Sequence, residues 1–228
     1  MDNRSIEIRK NLKKKLDPVR FEHTLGVCYT CQALAMRYGY DLHKAELAGL
    51  LHDCAKRFNN ETMLDKCLKR DIPITDSELR DPSLLHAKLG AWYAREKYGV
   101  DDEEILSAIA CHTTGKTNMS LLDKILYVAD YIEPGRYKAA ALPEMRKLAF
   151  EDLDQACLSI MESVLKYLES TNCPIDTMTV NACVDMRRVV GEGRKVITDK
   201  KEEPTGESVQ RNGKNRRTRS GREKRRRH

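Results

Sequence analysis

Four histidines and two aspartates stand in surroundings that helical proteins rarely give them. His23 in RFEHTLGV, the adjacent His52 and Asp53 in LAGLLHDCAK, His86 in SLLHAKLG, His112 in IACHTTGK and Asp130 in ILYVADYIEPGR each fall within, or at the end of, a stretch that is otherwise apolar at helical spacing. Any one alone reads as a core histidine bonded to a carbonyl, or as a carboxylate satisfied by a nearby donor. Six together are different, because buried charges and unpaired polar groups are costly unless a partner compensates them. A divalent cation held by neutral imidazoles and carboxylates does so economically. His23, the His52–Asp53 pair and Asp130 can serve one ion, while His86 and His112 complete a second with Asp53 bridging both. His43, in YDLHKAE, reads as an ordinary exposed histidine.

Neighbouring residues on an α-helix point about 100° apart, so His52 and Asp53 can face a common ion only from the end of their helix. The donor set contains imidazole and carboxylate without thiolate, which favours iron, manganese or cobalt over structural zinc and leaves coordination places free. Two such ions lower the pKa of a water and clamp a phosphoryl group, so the chemistry expected is phosphoester or phosphoanhydride hydrolysis. Asp53 and Lys56 are expected at its catalytic centre. Lys56, three residues after Asp53, and Arg20, three before His23, share helix faces with those ligands. Arg136 closes EPGR six residues after Asp130. These three cations are expected to hold phosphates. In HTTGK, the hydroxyls of Thr113 and Thr114 and the backbone of Gly115 can cradle an anion, whereas Lys116 reads as a solvated surface residue.

The elements that must position these groups are helices. Apolar residues recur at three- and four-residue spacing through the first 190 positions and strand-type alternation is nearly absent. The pattern predicts an all-α bundle with helices near 3–15, 18–38, 42–55, 60–70, 84–98, 101–112, 119–132, 142–170 and 176–190. Asp17-Pro18, YGYD, Asp81-Pro82-Ser83, TTGKTNMS and EPGR punctuate it. Residues 1–190 form one domain in this reading. From Gly191 the apolar register is lost, and residues 191–228 are expected to be a disordered, strongly basic tail.

The formal net charge of +6 is unevenly distributed: residues 211–228 hold ten Lys or Arg against Glu223, while the first 210 residues carry 31 bases against 34 acids. The body is thus acidic, and its basic tail, with no aromatics among the charges, suits an RNA, ribosome or anionic-surface tether better than a folded reader. Eight cysteines lie mostly within apolar helical patterns and no secretory segment is evident, which points to reduced thiols and a cytoplasmic location. No apolar run approaches the roughly 20 residues of a membrane span. Cys28 and Cys31 form a lone Cys-x-x-Cys that reads as core packing. Trp92, Tyr93 and Tyr98 follow His86 on one helix and read as packing residues before base-stacking ones, although an adenine needs some such platform.

The order His, His-Asp, distant Asp resembles the HD-domain metal-dependent phosphohydrolases, with His86 and His112 matching their two-metal branch. Over roughly residues 5–190, RFEHTLGV, LAGLLHDCAK, LLHAKLGAWYAREKYGV, CHTTGK and LLDKILYVADYIEPGR resemble more narrowly the YqeK family of HD-domain symmetrical dinucleoside tetraphosphatases. The resemblance implies an HD-domain helical bundle whose di-iron centre splits diadenosine tetraphosphate at its central bridge into two ADP. The alternatives are another HD phosphohydrolase acting on nucleotides, or an RNA- or ribosome-associated protein using the fold as a scaffold. A homodimer is compatible with the sequence.

Overall fold

The computed structural model describes residues 3–202 except 140 and 172, with side chains described through residue 192. Eleven α-helices and one short 3-10 turn follow one another, with no strand among the described residues: α1 (Asn3–Lys15), α2 (Pro18–Tyr38), α3 (Leu42–Leu51), α4 (Asn60–Leu68), α5 (Asp76–Arg80), the turn Pro82–Leu84, α6 (Leu85–Tyr98), α7 (Glu103–Cys111), α8 (Leu121–Ile132), α9 (Leu142–Glu151), α10 (Leu153–Ser170) and α11 (Thr177–Glu202). The all-α expectation holds.

Local chemistry sets the helix starts. Asp17 accepts the backbone N–H of Arg20 before α2, with Pro18 in the first turn. Asp41 caps α3 through Lys44 N, and Asp102 caps α7 through the N–H groups of Glu104 and Ile105. Ser120 and Asp123 form a reciprocal capping box at the start of α8. Each such cap satisfies donors that the first helical turn leaves orphaned, worth about 1 kcal/mol.

Around the central α2–α3 pair, α8 packs on α2 and α3, α7 joins α6 to α8, and α10 carries α9 and α11 on the outside. Leu34, Leu50, Leu51, Leu85, Leu89, Ile109, Leu122, Ile125 and Leu126 are fully buried where these helices meet. No described helix is long and apolar enough to cross a membrane. All eight cysteines are free thiols and seven are buried. Burial pushes the Cys28 thiol to about 11 and that of Cys54 to about 12, so neither offers a thiolate.

Three boundaries differ from the periodicity reading. The helix expected over 42–55 ends at Leu51, and residues 52–57 continue as tight turns with Cys54 N bonded to Leu51 O and Lys56 N to Asp53 O. The helix expected over 142–170 breaks at Asp152, whose extended backbone ends α9 and whose side chain caps α10 through Gln155 N. Pattern alone joins them because both carry apolar residues in compatible register. The last helix passes residue 190 and runs to Glu202. Ala182, Cys183 and Met186 are its buried anchor, whereas Gly191 and Glu192 are exposed. Residues 203–228, with the basic block, lie outside the described residues.

Candidate metal centre

The end of α3 shows what awaits the His52–Asp53 pair. Because the helix stops at Leu51, both side chains turn inward, His52 fully buried and Asp53 nearly so. His23 arrives from the second turn of α2, His86 from the first turn of α6, His112 from the cap of α7 and Asp130 from the last turn of α8. Five segments thus deliver the six predicted ligands to one place. Donor atoms of His23, His52 and Asp130 lie within 4.8 Å of one another, as do those of His52, Asp53 and His112. His86 joins the second group, its Nε2 3.1 Å from His112 Nε2 and 3.4 Å from Asp53 Oδ1.

Asp53 divides its two oxygens between the two halves. Oδ2 faces His52 Nε2 at 3.5 Å and His23 Nε2 at 3.8 Å, while Oδ1 faces His86 and His112 at 3.4 and 3.7 Å. His23 Nε2 also lies 3.1 Å from Asp130 Oδ1.

All four imidazoles are held by their other nitrogen. His52 Nδ1 donates to Gly49 O at 2.8 Å, His86 Nδ1 to Ser83 O at 2.5 Å and His112 Nδ1 to Ile109 O at 2.7 Å, each a carbonyl three residues earlier. His23 Nδ1 instead meets the carboxylate of Glu133 at 3.1 Å. A proton fixed on Nδ1 leaves Nε2 a lone-pair donor, the form a metal ligand requires. This arrangement provides the test of fit. His23 Nε2, His52 Nε2 and Asp53 Oδ1 are buried with no hydrogen-bond partner among the described residues. At His86 and His112, two Nε2 lone pairs and Asp53 Oδ1 converge, with only the Thr113 hydroxyl, 3.1 and 3.2 Å from the two nitrogens, to offer a proton. Lone pairs gathered so closely in a buried site call for cations, and the residues present fit divalent ions.

The electrostatics agree. Burial would raise the Asp53 carboxyl, but His52, His112 and His86 hold it well below the usual range; Asp130 is likewise lowered against its burial, first by His23. Burial and neighbouring His112 bring His86 down to about 3, keeping it neutral. Burial would also lower His23, but Asp130 and Glu133 raise it.

The predicted phosphate-binding residues divide. Arg20 Nη1 lies 2.8 Å from Asp53 Oδ2 and Arg136 Nη2 2.8 Å from Asp130 Oδ1, each on the wall of a cleft of about 790 Å³ that also exposes His23 and Tyr29. Lys56 is half-buried, its pKa lowered by burial against the pull of Asp53, and its ammonium has no hydrogen bond or ion pair among the described residues. Thr113 reaches the His86–His112 edge. At Thr114 and Gly115 the expected cradle's donors are engaged locally: the Thr114 hydroxyl donates to Gly115 O, and Gly115 N–H to Cys111 O. Gly115 is required by packing, since it has φ 69° and a Cβ there would meet Met161 Cε at 2.9 Å and Ala182 Cβ at 3.0 Å. Lys116 pairs with buried Asp123 at 2.8 Å and is not simply solvated.

Two residues had not been singled out from sequence. Glu133 is buried, and a Cβ on Gly26 would collide with its carboxylate, so the glycine in HTLGV makes room for it. Its signal was faint: a carboxylate three residues after Asp130, on the same side of the helix end. Arg146 of α9 donates to the carbonyls of Ile132, Glu133 and Arg136 and so pins the EPGR turn. Nothing local to Arg146 announces that role.

Comparison with known proteins agrees with this geometry. The HD domain family model matches residues 20–135, a span containing all six candidate ligands. A "Bis(5'-nucleosyl)-tetraphosphatase, symmetrical" of Halalkalibacterium halodurans is 41% identical over 164 residues, 72% of this chain and 87% of that protein. The protein of the same name from Bacillus subtilis is 41% identical over 166 residues, again 72% and 87%. Among solved structures, a predicted HD superfamily hydrolase involved in NAD metabolism, from Clostridium acetobutylicum, superposes with a TM-score of 0.77 at 39% identity, covering 80% of this chain and 96% of that one. With the ligand-bearing helices and the relatives in agreement, the chain belongs to the HD domain family and, within it, to the symmetrical bis(5'-nucleosyl)-tetraphosphatases.

Proposed function

We propose that this protein hydrolyses diadenosine tetraphosphate and related dinucleoside polyphosphates symmetrically, giving two ADP. The observation that carries the proposal is the convergence of six donor side chains whose imidazoles are all locked with Nε2 inward. His23, His52, Asp53 and Asp130 would hold one divalent transition-metal ion, and His86, His112 and the other oxygen of Asp53 a second. Iron is the first expectation, with manganese or cobalt suited to the same donors. When bound, such ions supply an ionised water and screen phosphoryl charge.

The chain's own groups do the rest. Lys56, unpaired at the edge of the cluster, is free to meet a phosphate. Arg20 and Arg136 stand on the cleft wall, where their guanidinium groups can bind the flanking phosphates and offset charge on the leaving group. Thr113 orients substrate beside His86 and His112. Water oxygen joins one central phosphorus, the central bridging P–O bond breaks, and ADP leaves as an anion that needs no strong general acid. A homodimer is compatible with this arrangement.

The test is chromatography of products from diadenosine tetraphosphate after anaerobic purification and metal analysis. Two ADP are expected. AMP with ATP, or no cleavage by metal-loaded protein, refutes the proposal; release of inorganic triphosphate from a nucleoside triphosphate, or opening of a cyclic dinucleotide, in its place assigns another HD phosphohydrolase activity. We further propose a cytoplasmic enzyme whose residues 211–228 contact RNA. Deleting 203–228 should spare hydrolysis and weaken salt-sensitive RNA binding.

A further inference from the structure

On the face formed by α6, α4 and the turns flanking α4, positive side chains that do not line the metal cleft are laid over aromatic rings. The Arg57 guanidinium lies 4.5 Å from the Phe58 ring centroid and 5.1 Å from that of Tyr93. Arg70 stands 4.4 Å from the ring of Trp92. Lys66 Nζ is 4.8 Å from Phe58 and Lys97 Nζ 5.9 Å from Trp92. None of these four cations has an ion pair among the described residues. The Nε atoms of both arginines are buried without a hydrogen-bond partner. Unneutralised charge is unexpected here, because the first 210 residues carry more acids than bases. Beside Trp92, a groove of about 310 Å³ opens between α6 and α7, with Ala91, Leu106 and Ala110 in its walls.

Rings and guanidinium planes offer stacking surfaces to bases, and uncompensated cations offer sites for phosphates. Proteins that bind single strands combine these two features. An acidic peptide would use the charges and leave the groove beside Trp92 without a role. We propose that the α4–α6 face binds a single-stranded nucleic acid, with a base against Trp92 and the backbone along Arg57, Lys66, Arg70 and Lys97. None of these residues lines the hydrolytic cleft or belongs to the basic block at 211–228.

Trp92 is the protein's single tryptophan, and residues 211–228 contain no aromatic side chain. Its emission therefore reports on this face and is silent to attachment through the tail. The experiment titrates the full chain with a 12-nucleotide single-stranded RNA and its DNA counterpart, following Trp92 emission and oligonucleotide anisotropy together. Quenching that tracks the anisotropy with either strand is expected. Arg57→Gln/Arg70→Gln should weaken the affinity read from quenching at least tenfold. Lys66→Gln/Lys97→Gln, which leaves both arginines with their buried Nε atoms in place and keeps the test independent of folding, should reduce the slope of log affinity against log salt by about 1.4. Anisotropy without quenching, no binding at all, or equal quenching by polyglutamate overturns the proposal. So does quenching unchanged in both variants. Diadenosine tetraphosphate hydrolysis is measured on the same samples, so failure of the hydrolase proposal remains distinguishable.

Discussion

The Nδ1 atom of His23 lies 3.1 Å from Oε1 of Glu133, 110 residues further along the chain. The other three ligand histidines obtain the same hold from a carbonyl of their own segment. His23 sits inside α2, where preceding carbonyls are engaged in the helix, so a second helix end must supply the acceptor. Glu133 also accepts Gly135 N–H at 2.5 Å. In Glu133→Gln the amide can accept only through one atom, and either His23 or Gly135 loses its partner. Metal affinity, measured by chelator competition, should fall about 10- to 100-fold with the fold retained. Unchanged affinity would show that His23 needs no such support.

Asp53 is the only ligand with an oxygen toward each half of the cluster. Asp53→Ala should therefore empty both halves and abolish turnover, as read by metal analysis and product assay. Retention of metal with near wild-type turnover would refute the assignment.

Among the described residues the Lys56 ammonium has no hydrogen-bond or ion-pair partner, so its removal tests substrate contact directly. Lys56→Ala should leave metal content intact and lower kcat/KM by about 10²–10³-fold, in line with losing one charged stabilising group in a catalytic site. Equal loss of metal would make its role structural.

The metal-stripped protein should lose stability on acidification. His86 titrates near 3 when folded, below its ordinary value of 6.5, so between these values the unfolded chain takes up a proton that the native state refuses. Stability from this group is present above 6.5 and falls as pH drops, at up to about 1.4 kcal/mol per pH unit. Asp53 and Asp130, whose carboxyls are lowered, add their loss only below the usual carboxylate range. Denaturant melts at pH 4–6.5 should show this decline, and His86→Asn should flatten it. Parallel curves for the two proteins would contradict it.

Gly115→Ala separates packing from phosphate binding. The left-handed backbone and the close Met161 and Ala182 contacts predict a loss of at least about 2 kcal/mol in unfolding experiments. Below the melting transition, turnover per folded molecule should be unchanged. A selective loss of turnover would return Gly115 to the substrate site.

The all-helical class and the six candidate ligands were legible along the chain, because residue type and periodicity are local properties. An imidazole in an apolar helical stretch is conspicuous wherever the chain folds it. Which carbonyls and carboxylates lock those imidazoles, that Asp53 faces both ways, and that Lys56 has no partner among the described residues while Lys116 binds Asp123 follow from tertiary packing. It also turned Gly115 from a phosphate cradle into a packing contact, and revealed Glu133 and Arg146. Hydrogen bonds and close contacts between distant segments depend on how helices cross, and no spacing along one helix encodes the crossing of another.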